Sequence, residues 1–455
     1  MTARFRRRVF AALSAAAALS VLAGAPVAAQ TLAESLADAY STNPDLAAER
    51  ARLRAAQEGL VQARSQRLPT LSAGGSVTES ERWGSQFFNS PPSSIDYQLT
   101  ANQALYAGGR ISGGIDQARA GLEASRAQLR STGQQVLIDA VAAHMNVIRD
   151  QQVVAIRRNN VEVLAEQLRA AEDRFEVGEI TRTDVAQAEA RLSGARAQLA
   201  AAQAGLASSR ANYERVVGVA PGELGAPEAL PRLPESIGEA AETAVDLNPT
   251  LAAARFNEIA AEKQVQIARG ALRPEVSLRA QAAENRDADL TGQGQGQASI
   301  SAQVSVPIFT GGLNGSRVRE ALAQSDAARL QVTAARRQVL EGVRSAWNNL
   351  LAAQAVIESS RQAVRANEIA FDGVEQEAFV GLRTTLDVLN AEQELLNSRL
   401  ELVRAERDLY VASYGLLQSM GRLDPRWLGL TVDEQALLAA EREAERSNFD
   451  LTPWN

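Results

Sequence analysis

The sequence predicts a mainly α-helical chain that also carries a membrane β-barrel. It is built as two tandem structural repeats, each a β-hairpin plus a long coiled-coil helical hairpin. Three observations predict this. First, the 455-residue chain is written twice. Asn43-Pro44 recurs as Asn248-Pro249 and Leu68-Pro69 as Arg273-Pro274, 205 residues later. Gly108-Gly109 recurs as Gly311-Gly312, Val177-Gly178 as Val380-Gly381 and Asp184-Val185 as Asp387-Val388, 203 residues later. Such a period is too long for a solenoid unit and marks duplication of a half-protein. Second, no proline lies between Ser93 and Ala220 or between Ile308 and Asp424. Proline breaks helix interiors, so both gaps admit very long helices. Third, four segments alternate apolar and polar residues with period two.

Residues 1–29 read as a secretory signal peptide. Arg4, Arg6, Arg7 and Arg8 form its basic start, Val9 to Ala23 its Ala/Leu/Val stretch, and Val27-Ala28-Ala29 a small-residue cleavage site. Loss of those four arginines and no acids takes the net charge from −7 to −11. A chain this acidic has no electrostatic case for nucleic acid. No later apolar run approaches the ~18 residues of a spanning helix, so entry into lipid would be by strands. The lack of cysteine excludes an N-terminal lipid on that residue, disulfides and thiolate metal sites. One histidine, His144, placed mid-helix, and three methionines support neither a metal nor any other cofactor. Without a nucleophile–base set, an enzyme is not expected.

The first repeat spans 30–217, with helices near 43–67, 115–177 and 181–217 and strands near 69–78 and 95–105. The second spans 237–421, with helices near 249–273, 314–378 and 384–420 and strands near 276–283 and 298–306. Pro221, Pro227, Pro231 and Pro234 mark 218–236 as a linker, and 422–455 reads as a C-terminal tail. The long stretches are rich in Ala, Gln, Glu, Arg and Leu, all good helix formers. Ile115, Ala118, Leu122, Ser125, Leu129, Thr132 and Val136 step by threes and fours, a soft coiled-coil seam. A helix over 115–177 would run about 95 Å and its return partner about 55 Å. The shortfall matches the helix near 43–67, about 37 Å, so two short helices stack end to end against one long one.

In the strands, Leu71, Ala73, Gly75 and Val77 alternate with Thr70, Ser72, Gly74 and Ser76; Ile95, Tyr97, Leu99 and Ala101 alternate with Asp96, Gln98 and Thr100. Val276, Leu278, Ala280 and Ala282 alternate with Ser277, Arg279 and Gln281; Ala298, Ile300, Ala302 and Val304 alternate with Ser299, Ser301 and Gln303. About ten residues is the length of a tilted bilayer-crossing strand. Four strands cannot close a barrel, and an open edge cannot face lipid. Two copies would give eight strands and three would give twelve; the polar inward parity suits a water-filled lumen and favours a homotrimer. Tyr106 and Phe309 fall on the inward parity, where barrel would meet helices. Trp83, Phe87 and Phe88 belong to the first external loop. Gly292-Gln293-Gly294-Gln295-Gly296 lacks a P-loop lysine and reads as the second external loop.

At this point the chain resembles the TolC-type outer-membrane factor family. The resemblance rests on four paired motifs in order. They are Asn43-Pro44-Asp45-Leu46 with Asn248-Pro249-Thr250-Leu251, and Leu105-Tyr106-Ala107-Gly108-Gly109-Arg110 with Ile308-Phe309-Thr310-Gly311-Gly312, together with the hairpin tips Phe175 to Val185 and Phe379 to Leu389. It implies a homotrimer whose twelve-stranded outer-membrane barrel continues into a periplasmic α-helical tunnel. It also implies a passive exit duct that docks on a periplasmic adaptor (membrane fusion) protein and an inner-membrane ABC or RND pump. By motif position Arg383 matches a linking arginine of the periplasmic gate, with Thr183 and Asp184 as its partners. Asp387 matches an acidic residue that lines the constriction. A second acidic position is Asn390 here, and the latch tyrosine of some members is Ala378, beside Phe379. Val177, Gly178, Val380, Gly381 and Leu382 match the tips that meet the adaptor. The lack of a lipidated cysteine leans the analogy toward secretion-type members. The rival reading is a soluble periplasmic coiled-coil adaptor or scaffold; four bilayer-length strands argue against it.

Overall fold

The computed structural model describes residues 30–79, 93–225, 229–287 and 294–430. The signal segment, the loop aromatics Trp83, Phe87 and Phe88, Gly292-Gln293 and the tail beyond Leu430 lie outside the described residues. The first repeat contains α1 (Leu32–Thr42), α2 (Pro44–Ser65), β1 (Thr70–Glu79), β2 (Ser93–Ala107), α3 (Arg110–Glu176) and α4 (Arg182–Val217). The second contains α5 (Ile237–Leu247), α6 (Pro249–Gly270), β3 (Glu275–Asp287), β4 (Gly294–Ser305), α7 (Leu313–Phe379) and α8 (Thr385–Ser419).

The duplicated asparagines explain how each repeat is held. Asn43 caps α2 by accepting from the amides of Asp45 and Leu46, and Asn248 caps α6 through Thr250 and Leu251. Each side-chain amide then donates to a helix end of its own repeat: Asn43 to Val216 O at 3.3 Å and Asn248 to Ser419 O at 3.0 Å. One side chain thus starts one helix and anchors the end of another. The Asn-Pro pairs hide the short helices before them. α1 and α5, 11 residues each and capped by Thr31 and Ser236, are features that the sequence reading did not place.

α3 starts at Arg110, five residues before the seam begins. Gly108 and Gly109 take φ of 63° and 89° and turn the chain straight from β2 into the helix. Gly113 lies in the first turn despite its poor helix propensity. A Cβ there would stand 2.9 Å from Ile267 Cγ1, so the glycine admits close packing of α6. Further along, Ile115 and Leu122 of the expected seam pack on Leu53 and Leu60 of α2. A larger core joins α1, α3, α4 and α8 through Leu36, Leu137, Met145, Tyr213 and Leu417. Its counterpart in the second repeat uses Ala240, Ala244, Leu251, Val343 and Leu350.

The four strands form one antiparallel sheet in the order β1-β2-β3-β4. Its register aligns like with like. Leu71, Ala101, Ala280 and Ile300 make one cross-strand row, and Ala73, Leu99, Ala282 and Ala298 the next. On the other face lie rows of Thr70, Asn102, Arg279 and Ser301, and of Ser72, Thr100, Gln281 and Ser299. One face is apolar and the other polar, as an outer and an inner barrel wall require.

Three strand details correct the sequence reading. A bulge between Ala104 and Tyr106 shifts the register so that Tyr106 opposes Val276, which in turn opposes Val304. Tyr106 therefore joins the apolar row instead of pointing inward, since one extra residue inverts parity. Phe309 lies past the end of β4 and is 88% exposed, so strand parity does not apply to it. β4 also begins earlier than expected: Gly294, Gln295 and Gly296 pair with Arg286, Asn285 and Glu284 and are strand, not loop.

The duplication leaves half of its contacts unmade within one chain. β2 pairs with β3, but β1 and β4 end the sheet as open edges. α3 packs along α6, whereas α7 has no comparable packing on α2. Gly108 sits so close to Gly270 that a Cβ would meet its carbonyl oxygen at 2.3 Å; at the equivalent Gly311 it would meet nothing within 4 Å.

Candidate functional site

The two hairpin tips are built alike. Each long helix ends in a turn where a glycine takes φ of 79°, Gly178 after α3 and Gly381 after α7. Around Gly178, Glu179 N donates to Arg174 O and Gly178 N to Phe175 O. Around Gly381, Leu382 N donates to Glu377 O and Gly381 N to Ala378 O. This pairing satisfies the last helical carbonyls and reverses the chain in five residues. The turns push apolar side chains outward: Val177, Val380, Leu382 and Phe379 are all exposed.

The next helices start on capping boxes. Thr181 N donates to Asp184 Oδ2 at 2.9 Å, and Thr384 N to Asp387 Oδ2 at 3.0 Å, while each threonine hydroxyl donates to the same oxygen at 2.8 Å. These bonds favour the ionised form and hold both carboxyls below the usual aspartate range. Within one chain Arg383 meets neither aspartate. It pairs with Glu377 across the turn at 2.8 Å, and that partner pushes its pKa up. Thr183 and Asp184 lie on the other hairpin, and the structure of a single chain does not bring Arg383 to them. Glu377 was not singled out from the sequence; it stands where the first tip has Arg174, so the repeats carry opposite charge there.

A second set of polar contacts ties α8 to the first repeat. Arg191 donates to Asn390 at 3.2 Å, Asn160 to Glu392 at 2.7 Å, Arg407 to Asn146 at 2.9 Å and Gln418 to Gln135 at 3.0 Å. Asn390 is therefore bonded across hairpins rather than belonging to an acidic pair. These links join residues 199 to 283 positions apart, which no local spacing reveals.

Comparison with known proteins decides the family. The model for the outer membrane efflux protein family matches residues 35–219 and 240–422, one segment per repeat. The chain belongs to the outer membrane efflux protein family. It is 37% identical to the outer membrane efflux protein BepC of Brucella suis biovar 1 (strain 1330), over 91% of this chain and 90% of BepC. It is 27% identical to the outer membrane protein TolC of Escherichia coli (strain K12), over 90% of this chain and 84% of TolC. The solved structure of the Campylobacter jejuni CmeC outer membrane channel superposes with a TM-score of 0.76 at 16% identity, covering 92% of this chain and 90% of that one. As a member of this efflux protein family the chain is an outer-membrane efflux or secretion channel with a periplasmic helical tunnel, and not an enzyme. Its sheet supplies barrel wall, and the α3–α4 and α7–α8 hairpins supply tunnel wall.

Proposed function

We propose that three copies close head to tail into one duct with a twelve-stranded barrel. The observation that carries this is the set of contacts each chain leaves half made. The β4 edge and the α7 face of one copy complement the β1 edge and the α2 face of the next, as β2 and α3 complement β3 and α6 within the chain. A heterologous contact of this kind either closes into a ring or grows without end. Ile308 and Phe309, 94% and 88% exposed, lie where the next copy would cover them. Native mass measurement on channel extracted from outer membranes is expected to give a three-chain species; a dimer, or release of the protein by osmotic shock, would overturn the reading.

The duct works with a periplasmic adaptor and an inner-membrane ABC or RND pump, meeting the adaptor through Val177, Gly178, Val380, Gly381 and Leu382. The exposed apolar tips support this. A Cβ on Gly381 meets nothing within 4 Å, so Gly381→Trp costs only about 1–2 kcal/mol of left-handed backbone strain. Export is expected to be lost while trimers persist. Loss of the trimer instead would make the turn purely structural.

Arg383 is the latch of the periplasmic gate. In the closed trimer it exchanges Glu377 for Thr183 and Asp184 of a neighbouring copy, using Asp184 Oδ1, since both capping bonds fall on Oδ2. Three copies of Asp387 line the constriction and favour cations, with Asn390 adding no charge. Exposed arginine–carboxylate links are individually weak and easily broken. Arg383→Ala should therefore raise the open population several-fold, because three such links are lost per channel. Resting conductance in planar bilayers measures this, and an unchanged value would remove Arg383 from the gate. Deleting the gene and comparing secreted proteins with drug sensitivity assigns the cargo.

A further inference from the structure

The wall between the two hairpins contains a cavity of about 590 Å3 bounded by α3, α7 and α8. That volume lies within the range of sites for drug-sized molecules. Its walls are of two kinds. Ile156, Val163, Phe371 and Leu396 make an apolar surface, while Glu166, Glu375 and Glu392 add three carboxyls. The cation in this lining, Arg399, is already paired with Glu368 at 2.9 Å. The cavity is therefore acidic.

Glu392 is its innermost charge, only 7% exposed. Its Oε1 accepts from Asn160 Nδ2 at 2.7 Å, but its Oε2 is buried without a hydrogen-bond partner among the described residues. A buried polar atom left unpaired is costly, and its persistence in a cavity points to a ligand that supplies the missing donor. A divalent cation would need six or more oxygens at short range, and among the described residues no set of carboxylates converges to offer them. A single ammonium carried on an apolar body matches both halves of the lining.

We propose that this cavity binds an organic monocation, a protonated amine on an apolar body, with Glu392 Oε2 as its counter-ion and Glu166 and Glu375 setting the sign of the field. Burial pushes the Glu392 carboxyl up to about 7, with Glu375 adding to the rise and the Asn160 hydrogen bond opposing it. Glu392 thus holds a proton about half the time at neutral pH, and a bound ammonium displaces that proton.

The test uses the full-length channel in detergent, titrated calorimetrically with 1-naphthylmethylamine and with its neutral analogue 1-naphthalenemethanol, each corrected against empty micelles. One saturable site per chain is expected for the amine, with at least tenfold weaker binding of the alcohol. Glu392→Gln should weaken the amine at least tenfold. Affinity for the wild type should fall about tenfold from pH 8 to pH 6 as Glu392 takes up its proton, and Glu392→Gln should flatten that dependence. Val163→Trp, which fills the cavity from a partly exposed position and keeps the Asn160–Glu392 bond, should abolish binding and carries the test if Glu392→Gln fails to assemble. Equal binding of amine and alcohol, or amine binding unchanged in either variant, would overturn the proposal.

Discussion

Leu99→Arg is expected to prevent the channel from reaching the outer membrane as a stable assembly, while Gln281→Arg, at the same level of the sheet, is tolerated. Leu99 lies mid-strand on the apolar row with Ala73 and Ala282. Gln281 opposes Thr100 and Ser299 on the polar row. An arginine facing the bilayer midplane costs about 2–4 kcal/mol, so three copies would lose roughly 6–12 kcal/mol per barrel. The polar face already accommodates such a side chain: Arg279 stands there and donates to Asn102 at 2.9 Å. Fractionation followed by semi-native electrophoresis reads the result. Trimer lost in Leu99→Arg and kept in Gln281→Arg supports the assignment of faces. The reverse order would mean that the sheet presents its polar side to lipid.

What the sequence reveals about this channel depends on how local each signal is. Strand parity was legible because period two needs only neighbouring residues, and its failure at Tyr106 was marked: Leu105-Tyr106 sets two apolar residues side by side and breaks the alternation where the bulge lies. The long helices were legible from missing prolines, but not the first turn of α3, where Gly113 and Gly114 argue against helix until α6 is packed on Gly113. At the tips Arg383 and Asp387 stand four residues apart, a spacing at which side chains on one helix face can pair. Capping decides otherwise. The backbone amide and hydroxyl of Thr384 engage the Asp387 carboxylate, and Arg383 turns back to Glu377. The links that fasten α8 to the first repeat had no signal in the sequence, because Asn160 and Glu392 become neighbours only after both repeats have folded.

The remaining large effect concerns acid. His144 should make the channel acid-labile, with stability falling as pH drops from about 6.5 to about 4 and level on either side. Its ring is fully buried where α1, α3 and α4 meet. Nδ1 lies 2.9 Å from Ser35 Oγ, which lies 2.7 Å from the Tyr213 hydroxyl, and Nε2 is buried with no hydrogen-bond partner among the described residues. A second proton would place an unpaired charge in the core. Burial accordingly lowers the native pKa from 6.5 to about 4. The unfolded chain takes up a proton throughout that window while the native chain does not. Stability is therefore complete above 6.5 and declines as pH falls until it levels off near the native value of about 4. A difference of about 2.5 units corresponds to about 3 kcal/mol per chain. His144→Leu keeps the Ser35–Tyr213 bond, fills similar space and removes the titrating group. Its unfolding temperature should match the wild type near neutral pH and exceed it progressively below pH 6.5. Subtracting the two curves cancels every other acid in the protein, so parallel profiles would show that the core admits the proton without cost.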